Sequence, residues 1–405
     1  MSGSKKISDG KKVPVNKPVP SGAFRELQRG LTGERSLIGE AYMENPEMLR
    51  SYLDYYWPVS REQARYALRF APHAVRTVLD IGSGPGPVAA AFLDSGTEKA
   101  VLVDKSRKAL DLALRELPLR CGTGTEKIAT FSANISSPDA SSIPYWGEAD
   151  CVSFGHSLNE LFAGADDRIE RRAALLEKYS HALADGGFIL VIEPALLSTS
   201  RDLLAVRNLL VERGWRVIAP CPGRETSACP ALGAGESHTC HEEIVWNMPA
   251  ETASLAKKLK LDKEVLKMTW FLLEPPHGAE SVNAACSATG VNGENNVNAA
   301  YSATGANTFE GSSFLADAAR LFASGVYRVV SDPMLNKAGR VRRLLCGAGG
   351  RFPLSVQAGS ADERRTGFDC LSRGDYIRVQ HPEIRENGWG IAAGTAIIKE
   401  KIAGT

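Results

Sequence analysis

A loop with three glycines follows an apolar segment early in the chain, in the sequence VLDIGSGPGP. The segment Thr77–Ile81 is typical of a buried strand, and the Ala-rich run Val88–Leu93 predicts the start of a helix. The glycines Gly82, Gly84 and Gly86 would let backbone N–H groups approach a ligand closely, because they carry no side chains. The spacing is tighter than the dinucleotide pattern Gly-x-Gly-x-x-Gly and lacks the Lys-Ser/Thr ending of a P-loop. The loop alone therefore indicates a ligand site without deciding its type.

An acidic residue about twenty positions further on narrows the choice of ligand for this site. The predicted strand Ala100–Val103 ends at Asp104, and Ser106 is a predicted N-cap for a helix over Arg107–Leu117. A carboxylate at this place can accept hydrogen bonds from both ribose hydroxyls of a nucleoside. Loop, acid and helix in this order resemble the S-adenosylmethionine site of Rossmann-like methyltransferases; the alternative is the same fold with an empty or repurposed nucleotide site. We expect six cofactor-binding residues: Asp80, Gly82, Gly84, Gly86, Asp104 and Asn134.

Three candidate catalytic residues follow the fourth predicted strand, Cys151–Phe154, in the sequence HSLNE. This position lacks the Asn/Asp-Pro-Pro-aromatic motif of many base-nitrogen methyltransferases, and it lacks a cysteine nucleophile. His156 is a candidate general base or a structural histidine. Glu160 would bind cofactor or target, or would cap a helix, and Asn159 is the third candidate catalytic residue. Cofactor binding is therefore better supported by the sequence than catalysis.

A cysteine-rich loop suggests a metal. Three cysteines lie within twenty residues, at Cys221, Cys229 and Cys240. Neighbouring thiolates repel one another, and a soft cation relieves that repulsion. Cys346, at the end of the basic strand RVRRLLC, is the preferred fourth ligand, with His238 and His241 as local alternatives for a zinc site. The spacings match no standard zinc finger, and iron–sulfur clusters tolerate more varied ones; the alternative without metal is three unrelated thiols.

Composition bounds the class of protein. The 405 residues carry a formal net charge of +1, with 43% hydrophobic and 23% charged residues, as in ordinary globular proteins. No apolar run reaches the length of a membrane span, and the N-terminus lacks the apolar core of a signal peptide. We therefore expect a soluble protein that is monomeric when free, does not bind membranes, and is cytoplasmic, with the mitochondrial matrix as the alternative. Its eight cysteines should then be reduced.

Predicted strands alternate with helices from Val75 to about Ala219, which favours a mostly parallel sheet. Later strands are short and predict a small antiparallel sheet or partial barrel. The expected fold is α/β, with a Rossmann-like class I methyltransferase sheet, an N-terminal helical block, a cysteine-ligated metal loop and a small C-terminal β module. The expected segments are a disordered basic tail (1–22), the helical block (23–74), the Rossmann-like domain (75–220), the cysteine loop with a basic helix (221–274), a low-complexity insertion (275–313) and the β-rich module (314–405).

A basic strand and the N-terminal tail are candidate RNA contacts. Arg340, Arg342 and Arg343 lie just before Cys346, and the first 22 residues hold five lysines. Strand alternation would place Arg340 and Arg342 on one face and Arg343 on the other. The alternative is an ordinary solvated strand face.

Four segments together resemble one family, the methyltransferase-like proteins of mitochondrial small ribosomal subunits and their bacterial relatives. These segments are VLDIGSGPGP, FGHSLNELF, GGFILVIEPALL and RGWRVIAPCPGRETSACP. The resemblance implies a Rossmann-like S-adenosylmethionine-binding protein that acts in assembly of the small ribosomal subunit and carries a four-cysteine iron–sulfur cluster. Its ligands would be Cys221, Cys229, Cys240 and Cys346, with Gly223 where the family has a histidine.

Three functions remain open at this point. The first is methylation of small-subunit ribosomal RNA. The second is a non-catalytic assembly factor that binds immature ribosomal RNA and keeps cofactor and 4Fe–4S cluster as structural elements. The third is a small-molecule methyltransferase with a structural zinc site.

Overall fold

A computed structural model describes residues 21–30, 42–136, 142–259, 264–276 and 325–400. Most of the predicted basic tail and most of the predicted low-complexity insertion lie outside the described residues, and the last two residues of that tail, Ser21 and Gly22, are helical. In the part of the chain that is described, no helix is both long and apolar enough to cross a membrane.

Eight strands form the first sheet: β1 (Thr77–Ile81), β2 (Lys99–Asp104), β3 (Ile128–Ser132), β4 (Ala149–Gly155), β5 (Leu183–Pro194), β6 (Arg216–Ala219), β7 (Glu242–Val245) and β8 (Val265–Glu274). Their spatial order is β3-β2-β1-β4-β5-β8-β6, with β7 paired to β8. Strands β1 to β5 pair in parallel, and β8 pairs antiparallel with β5, β6 and β7. This order is that of a doubly wound Rossmann-like sheet with one reversed strand, so the predicted α/β class is confirmed.

Ten helices are described: α1 (Ser21–Gln28), α2 (Pro46–Ser51), α3 (Trp57–Leu68), α4 (Pro87–Asp94), α5 (Arg107–Cys121), α6 (Arg168–Ser180), α7 (Leu197–Glu212), α8 (Pro230–Gly233), α9 (Ala250–Leu259) and α10 (Ala361–Thr366). Ser106 caps α5 as expected, since its hydroxyl accepts from the N–H of Ala109 at 3.2 Å. Gly122 ends α5 in the left-handed conformation.

Helices α2 and α3 are continuous. Helix α3 already begins at Trp57, because one π-helical turn, Tyr52–Tyr56, joins it directly to α2. The indole of Trp57 donates to the carbonyl of Pro85 at 3.1 Å, which anchors the helix beside the glycine loop. Ser60 therefore lies inside the helix.

Continuous apolar runs produce the central strands, because helices cover both faces of a parallel sheet. Residues Val78, Leu79 and Ile81 of β1 are fully buried, and alternate side chains enter opposite cores. Val78 belongs to the core that includes α3, α4 and α5, whereas Leu79 and Ile81 belong to the core that includes α6 and α7.

Eight further strands form a second sheet: β9 (Tyr327–Val329), β10 (Met334–Leu335), β11 (Arg340–Gly347), β12 (Gly350–Gln357), β13 (Tyr376–Gln380), β14 (Glu383–Arg385), β15 (Gly388–Gly390) and β16 (Ala396–Lys399). The order is β14-β15-β12-β11-β9-β13-β16, with β10 on β11. Every pair is antiparallel except β12 with β15. This sheet agrees with the small antiparallel sheet expected after the insertion, apart from the one parallel pair.

Candidate functional site

A cavity of about 820 Å³ lies at the carboxyl edge of the first sheet, and we call it the cofactor cavity. It is lined by residues that directly follow β1, β2, β3, β4 and β5. This is the edge at which doubly wound sheets bind their ligands. The N-terminal helical block covers the opposite side with Met43, Tyr52, Tyr56, Val59, Ser60 and Gln63.

The glycine loop lines this cavity through Gly82 and Gly84, which both have positive φ, +69° and +51°. The N–H of Gly82 donates to the carbonyl of Val103 at 2.8 Å, which ties the loop to β2. A Cβ atom at Gly82 would lie 2.5 Å from the Cβ atom of Ser157. The loop can therefore adopt this path only with glycine at position 82.

Asp104 ends β2 at the wall of the cavity. One carboxylate oxygen accepts from the N–H of Gly84 and the other from the N–H of Ser106, both at 2.8 Å. Burial raises the pKa of this carboxyl above its usual value. Because each carboxylate oxygen can accept more than one hydrogen bond, Asp104 keeps capacity for the hydroxyls of a ribose. Asn134 also lines the cavity, and its side-chain oxygen accepts from the Ser136 hydroxyl at 2.8 Å.

Two predicted cofactor residues lie elsewhere. Asp80 is 1% exposed and does not line the cavity; its carboxylate accepts from Ser153 Oγ at 2.8 Å and from the N–H of Ala89 at 3.2 Å. Burial raises its pKa to about 7. Gly86 is the N-cap of α4, and a Cβ atom added there would lie 2.8 Å from Leu102 Cδ2 and 3.0 Å from Leu117 Cδ1. These two residues fix the loop from below, so their expected contact with the cofactor is corrected.

His156 lines the cavity with an unusual backbone conformation, φ +61°, which costs energy in a residue with a side chain. Its Nε2 lies 2.8 Å from Oε1 of Gln63, whose Nε2 donates to the carbonyl of Lys267 at 3.1 Å. This arrangement of the amide makes Gln63 Oε1 the acceptor and assigns the proton to Nε2 of the neutral imidazole. Burial lowers the pKa of His156 to about 4, so the ring is neutral at pH 7.

A buried carboxyl that was not predicted from the sequence accepts two hydrogen bonds from Asn159. Glu193, at the end of β5, is 1% exposed and accepts from the N–H of Asn159 at 2.9 Å and from its Nδ2 at 2.5 Å. Burial raises the pKa of Glu193 to about 8. Arg172 donates to the carbonyl of Asn159 at 2.8 Å and pairs with Asp202 at 2.9 Å. An acid that directly follows an apolar strand, as Asp104 does, is the signal that would have indicated Glu193.

The structure brings all three candidate catalytic residues to one wall, since His156, Asn159 and Glu160 line the same cavity. They follow β4, and Leu158–Glu160 forms a single 3-10 turn. The arrangement can place neutral hydrogen-bonding groups and one acid beside a ligand.

A second, small cavity lies between the two sheets, and we call it the cysteine cavity. Four cysteines line it: Cys221, Cys229, Cys240 and Cys346. The first three come from the segment between β6 and the start of β7, and the fourth comes from β11. Burial, together with the nearby Cys240 and Cys221, raises the pKa of Cys229 to about 12. This donor set is the one that the sequence analysis preferred.

Among the described residues, no group of three or more His, Cys, Asp or Glu side chains is arranged to hold a metal ion. The structure therefore shows a convergence of thiols and not a formed metal loop. All four are free cysteines. Neither alternative histidine lines the cavity, and His241 Nε2 instead lies 3.1 Å from Glu243 Oε1. By its chemistry the donor set fits a thiolate-bound centre, for which burial and mutual repulsion are typical.

Three arginines also line the cysteine cavity, namely Arg207, Arg224 and Arg328. Arg328, on β9, donates to Glu242 Oε2 on β7 at 2.6 Å, and its Nη1 lies 3.6 Å from Cys240 Sγ. The sequence carried no signal for this group, because its members are far apart along the chain.

The arginines of the basic strand β11 lie on opposite faces, as the alternation of side chains along a strand predicts. Arg342 is exposed and Arg340 is partly exposed, with its Nη2 donating to the carbonyl of Ser355 at 3.0 Å. Arg343 is 5% exposed, and its guanidinium lies 5.8 Å from the ring centre of Phe368. The expected RNA contact at Arg343 is therefore corrected, since this side chain offers almost no surface.

Comparison with solved structures gives matches to methyltransferases at low identity. An O-methyltransferase family protein from Burkholderia thailandensis is 14% identical, covers 64% of this chain and 73% of its own, and has a TM-score of 0.37. M. jannaschii TYW2 in complex with AdoMet is 13% identical, covers 54% and 77%, and has a TM-score of 0.30. Ribosomal protein L11 methylase from Lactobacillus delbrueckii subsp. bulgaricus is 12% identical, covers 54% and 78%, and also has a TM-score of 0.30.

Comparison with curated protein sequences gives no match. Comparison with protein families gives the family described as mitochondrial small ribosomal subunit Rsm22, which matches residues 55–261. This range is just over half of the 405 residues, and it contains the glycine loop, Asp104, the residues after β4 and three of the four converging cysteines. The chain therefore belongs to the mitochondrial small ribosomal subunit Rsm22 family.

Proposed function

We propose that the protein binds S-adenosylmethionine in the cofactor cavity and acts on the RNA of the small ribosomal subunit or of its precursor. The observation that carries the cofactor is one cavity at the parallel strand ends that brings together Gly82, Gly84, Asp104 and Asn134. The ribosomal partner comes from the family match.

In this proposal each group of the wall has a role. The glycine loop presents backbone to the cofactor, and Asp104 accepts from its ribose. When bound, S-adenosylmethionine supplies an electrophilic methyl group. His156 is neutral at pH 7, so it acts as a hydrogen-bonding group and not as a cation. Holding donor and acceptor in line accounts for much of the rate of such transfers.

A non-catalytic assembly factor is the second candidate, and the state of Asn159 favours it. The side-chain amide of Asn159 donates to Glu193 Oε2 and to the carbonyl of His156 at 3.0 Å, both within the protein. An amide so engaged is poorly placed to bind a methyl acceptor.

Incubation of the full chain with methyl-labelled S-adenosylmethionine and small-subunit precursor particles separates the two candidates. Label at one base, lost in His156→Ala, supports transfer. Cofactor and RNA binding without label supports the assembly factor. Absence of both kinds of binding contradicts the proposal as a whole.

We propose Arg340 and Arg342 as part of the RNA surface. Replacing both by Gln should weaken RNA binding. It should also reduce the dependence of log affinity on log salt, because a protein with fewer phosphate contacts releases fewer counterions when it binds. Arg364→Gln, an exposed arginine on α10 of the same module, is the matched control. Equal salt slopes in all three proteins would exclude β11 from the RNA surface.

We propose that Cys221, Cys229, Cys240 and Cys346 hold a 4Fe–4S cluster, with zinc as the alternative. Their lining of one cavity from two sheets supports this. Anaerobic purification with iron, sulfide and zinc analysis tests it. About four irons and four sulfides per chain, lost in Cys346→Ser, is the expected result; one zinc per chain would replace the cluster by a structural zinc, and absence of metal would contradict both.

The family description also bears on where the protein works. A partner in the mitochondrial small subunit favours the mitochondrial matrix over the cytoplasm. Co-sedimentation with small-subunit particles from fractionated cells tests this.

A further inference from the structure

A fully buried arginine lies beside the four converging thiols. Arg207, on α7, is 0% exposed and lines the cysteine cavity. Its Nη2 donates to the carbonyl of Arg224 at 2.7 Å, and its Nη1 donates to the carbonyl of Ser227 and to Oδ1 of Asn208. These acceptors are all neutral, and its Nε has no hydrogen-bond partner.

The charge of Arg207 has no carboxylate partner among the described residues. Two other enclosed arginines do have one, since Arg172 pairs with Asp202 at 2.9 Å and Arg328 pairs with Glu242 at 2.6 Å. Burial of an unpaired charge is costly, and buried charges in proteins are normally paired. The position of Arg207 therefore calls for a negative group in the cysteine cavity.

A centre bound by four thiolates has the required charge. Four thiolates with Zn²⁺ carry a net charge of −2, and four thiolates with an oxidised 4Fe–4S core carry the same charge. We infer that Arg207 is the counter-charge of a dianionic four-thiolate centre and also holds its loop in place. This inference rests on the proposed cysteine centre and holds for either metal.

The other two arginines of the cavity fit this role less well. The charge of Arg328 is already matched by Glu242, although its Nη1 approaches Cys240 Sγ. Arg224 is only partly buried and donates to the carbonyl of Ala228 at 2.6 Å, so water screens its charge.

Arg207 also acts on the position of the loop. Asn208 Oδ1 accepts both from Arg207 and from the N–H of Cys229 at 2.8 Å. Together with the carbonyls of Arg224 and Ser227, these bonds fasten the segment between Cys221 and Cys229 to α7. Charge and position are separable, because lysine keeps the charge without the forked hydrogen bonds.

The experiment compares the full-length wild type with Arg207→Gln, Arg207→Lys and the control Arg201→Gln, all purified anaerobically. Arg201 lies on the same helix and donates to the carbonyls of Gly235 and His238, but it does not line the cysteine cavity. The readouts are metal and sulfide per chain, the rate of metal loss to a chelator and, for an iron–sulfur centre, its midpoint potential.

We expect Arg207→Gln to lose metal at least tenfold faster than the wild type, Arg207→Lys within about threefold, and Arg201→Gln at the wild-type rate. For an iron–sulfur centre, loss of a nearby positive charge should make reduction of the cluster about tenfold less favourable. This corresponds to a negative shift of the midpoint potential by about 59 mV for one electron. Thermal unfolding followed by circular dichroism checks each fold, and Arg207→Met replaces Arg207→Gln if the latter does not fold.

Metal loss and potential unchanged in Arg207→Gln would overturn the inference. Equal defects in Arg207→Lys and Arg207→Gln would also overturn it, since hydrogen bonds without charge would then explain the role. A wild type that holds no metal would contradict the proposed cysteine centre itself, and this result is seen before any variant is compared.

Discussion

In the proposed cofactor site, Asp104 is the residue on which binding should depend most. Its two oxygens organise the turn through Gly84 and Ser106 and keep capacity for a ribose. Asp104→Asn replaces one acceptor oxygen by a donor, so we expect at least tenfold weaker binding of S-adenosylmethionine by calorimetry. Asp111→Asn, an exposed acid on α5, should bind as the wild type does. Equal affinity in both variants would contradict the assigned role.

The raised pKa of Glu193 predicts that the stability of the fold depends on pH. Burial raises its pKa from 4.5 to about 8, so between these values the folded chain binds more protons than the unfolded chain. The free energy of unfolding should therefore fall as pH rises through this window and level off above it.

Glu193→Gln should remove about 3 kcal/mol of this fall between pH 5.5 and pH 8, as judged from urea unfolding at several pH values. The buried Asp80, whose pKa is raised to about 7, leaves a smaller dependence in the same direction. Glu170→Gln, on the exposed side of α6, serves as the control. An unchanged pH profile in Glu193→Gln would show that Glu193 is not held protonated.

The cysteine loop and the β11–β12 hairpin make contact at a glycine, which gives a prediction at the scale of elements. A Cβ at Gly223 would meet the backbone N of Ala348 at 2.9 Å and its Cα at 3.0 Å. Ala348 follows β11, the strand that carries Cys346. A side chain at position 223 would therefore separate Cys346 from the other three thiols.

Gly223→Ala should reduce metal per chain to less than half of the wild-type content. Gly186→Ala is the matched control, because both glycines have positive φ, +64° and +77°, but an added Cβ at Gly186 meets nothing within 4 Å. Each substitution carries a backbone cost of about 1 kcal/mol. Metal lost equally in the two variants would point to general destabilisation instead of the hairpin contact.

At the scale of the whole molecule, buried polar contacts join the two sheets. The carboxylate of Glu242 on β7 and the guanidinium of Arg328 on β9 are 0% and 3% exposed as side chains. Tyr376 of β13 donates to the carbonyl of Pro220 at 3.0 Å. The cysteine cavity lies at this junction, so the proposed centre would depend on the relative position of the sheets.

Arg328→Met should lower the free energy of unfolding by about 3–5 kcal/mol in urea, because it leaves Glu242 buried without its partner. The double variant Arg328→Met with Glu242→Gln should lose less than the sum of the two single losses. Arg65→Met, which breaks the exposed pair with Glu62, should cost at most about 1 kcal/mol. Additive losses would show that the buried pair does not couple the sheets.

Local signals in the sequence predict the strand–loop–helix units, because apolar runs, glycines and caps each involve only neighbouring residues. Strand β1, the glycine loop, Asp104 and the cap at Ser106 all follow from such signals, and the small antiparallel sheet follows from short strands with turns. The alternation of side chains along β11 likewise predicts that Arg342 and Arg343 lie on opposite faces of the strand. Physical chemistry over a few neighbouring residues is enough for each of these.

Which side chains reach a site depends on how the strands and helices pack in the tertiary structure. Asp80 and Gly86 share the motif with Gly82, yet the loop turns them into the core, because β1 and α4 pack beneath it. Glu193, Gln63 and Arg207 act through partners that are distant along the chain, and burial sets the charge state of Glu193 and His156. The place of β8 between β5 and β6 and the meeting of Cys346 with the loop cysteines depend on how the sheets pack, which no local pattern encodes.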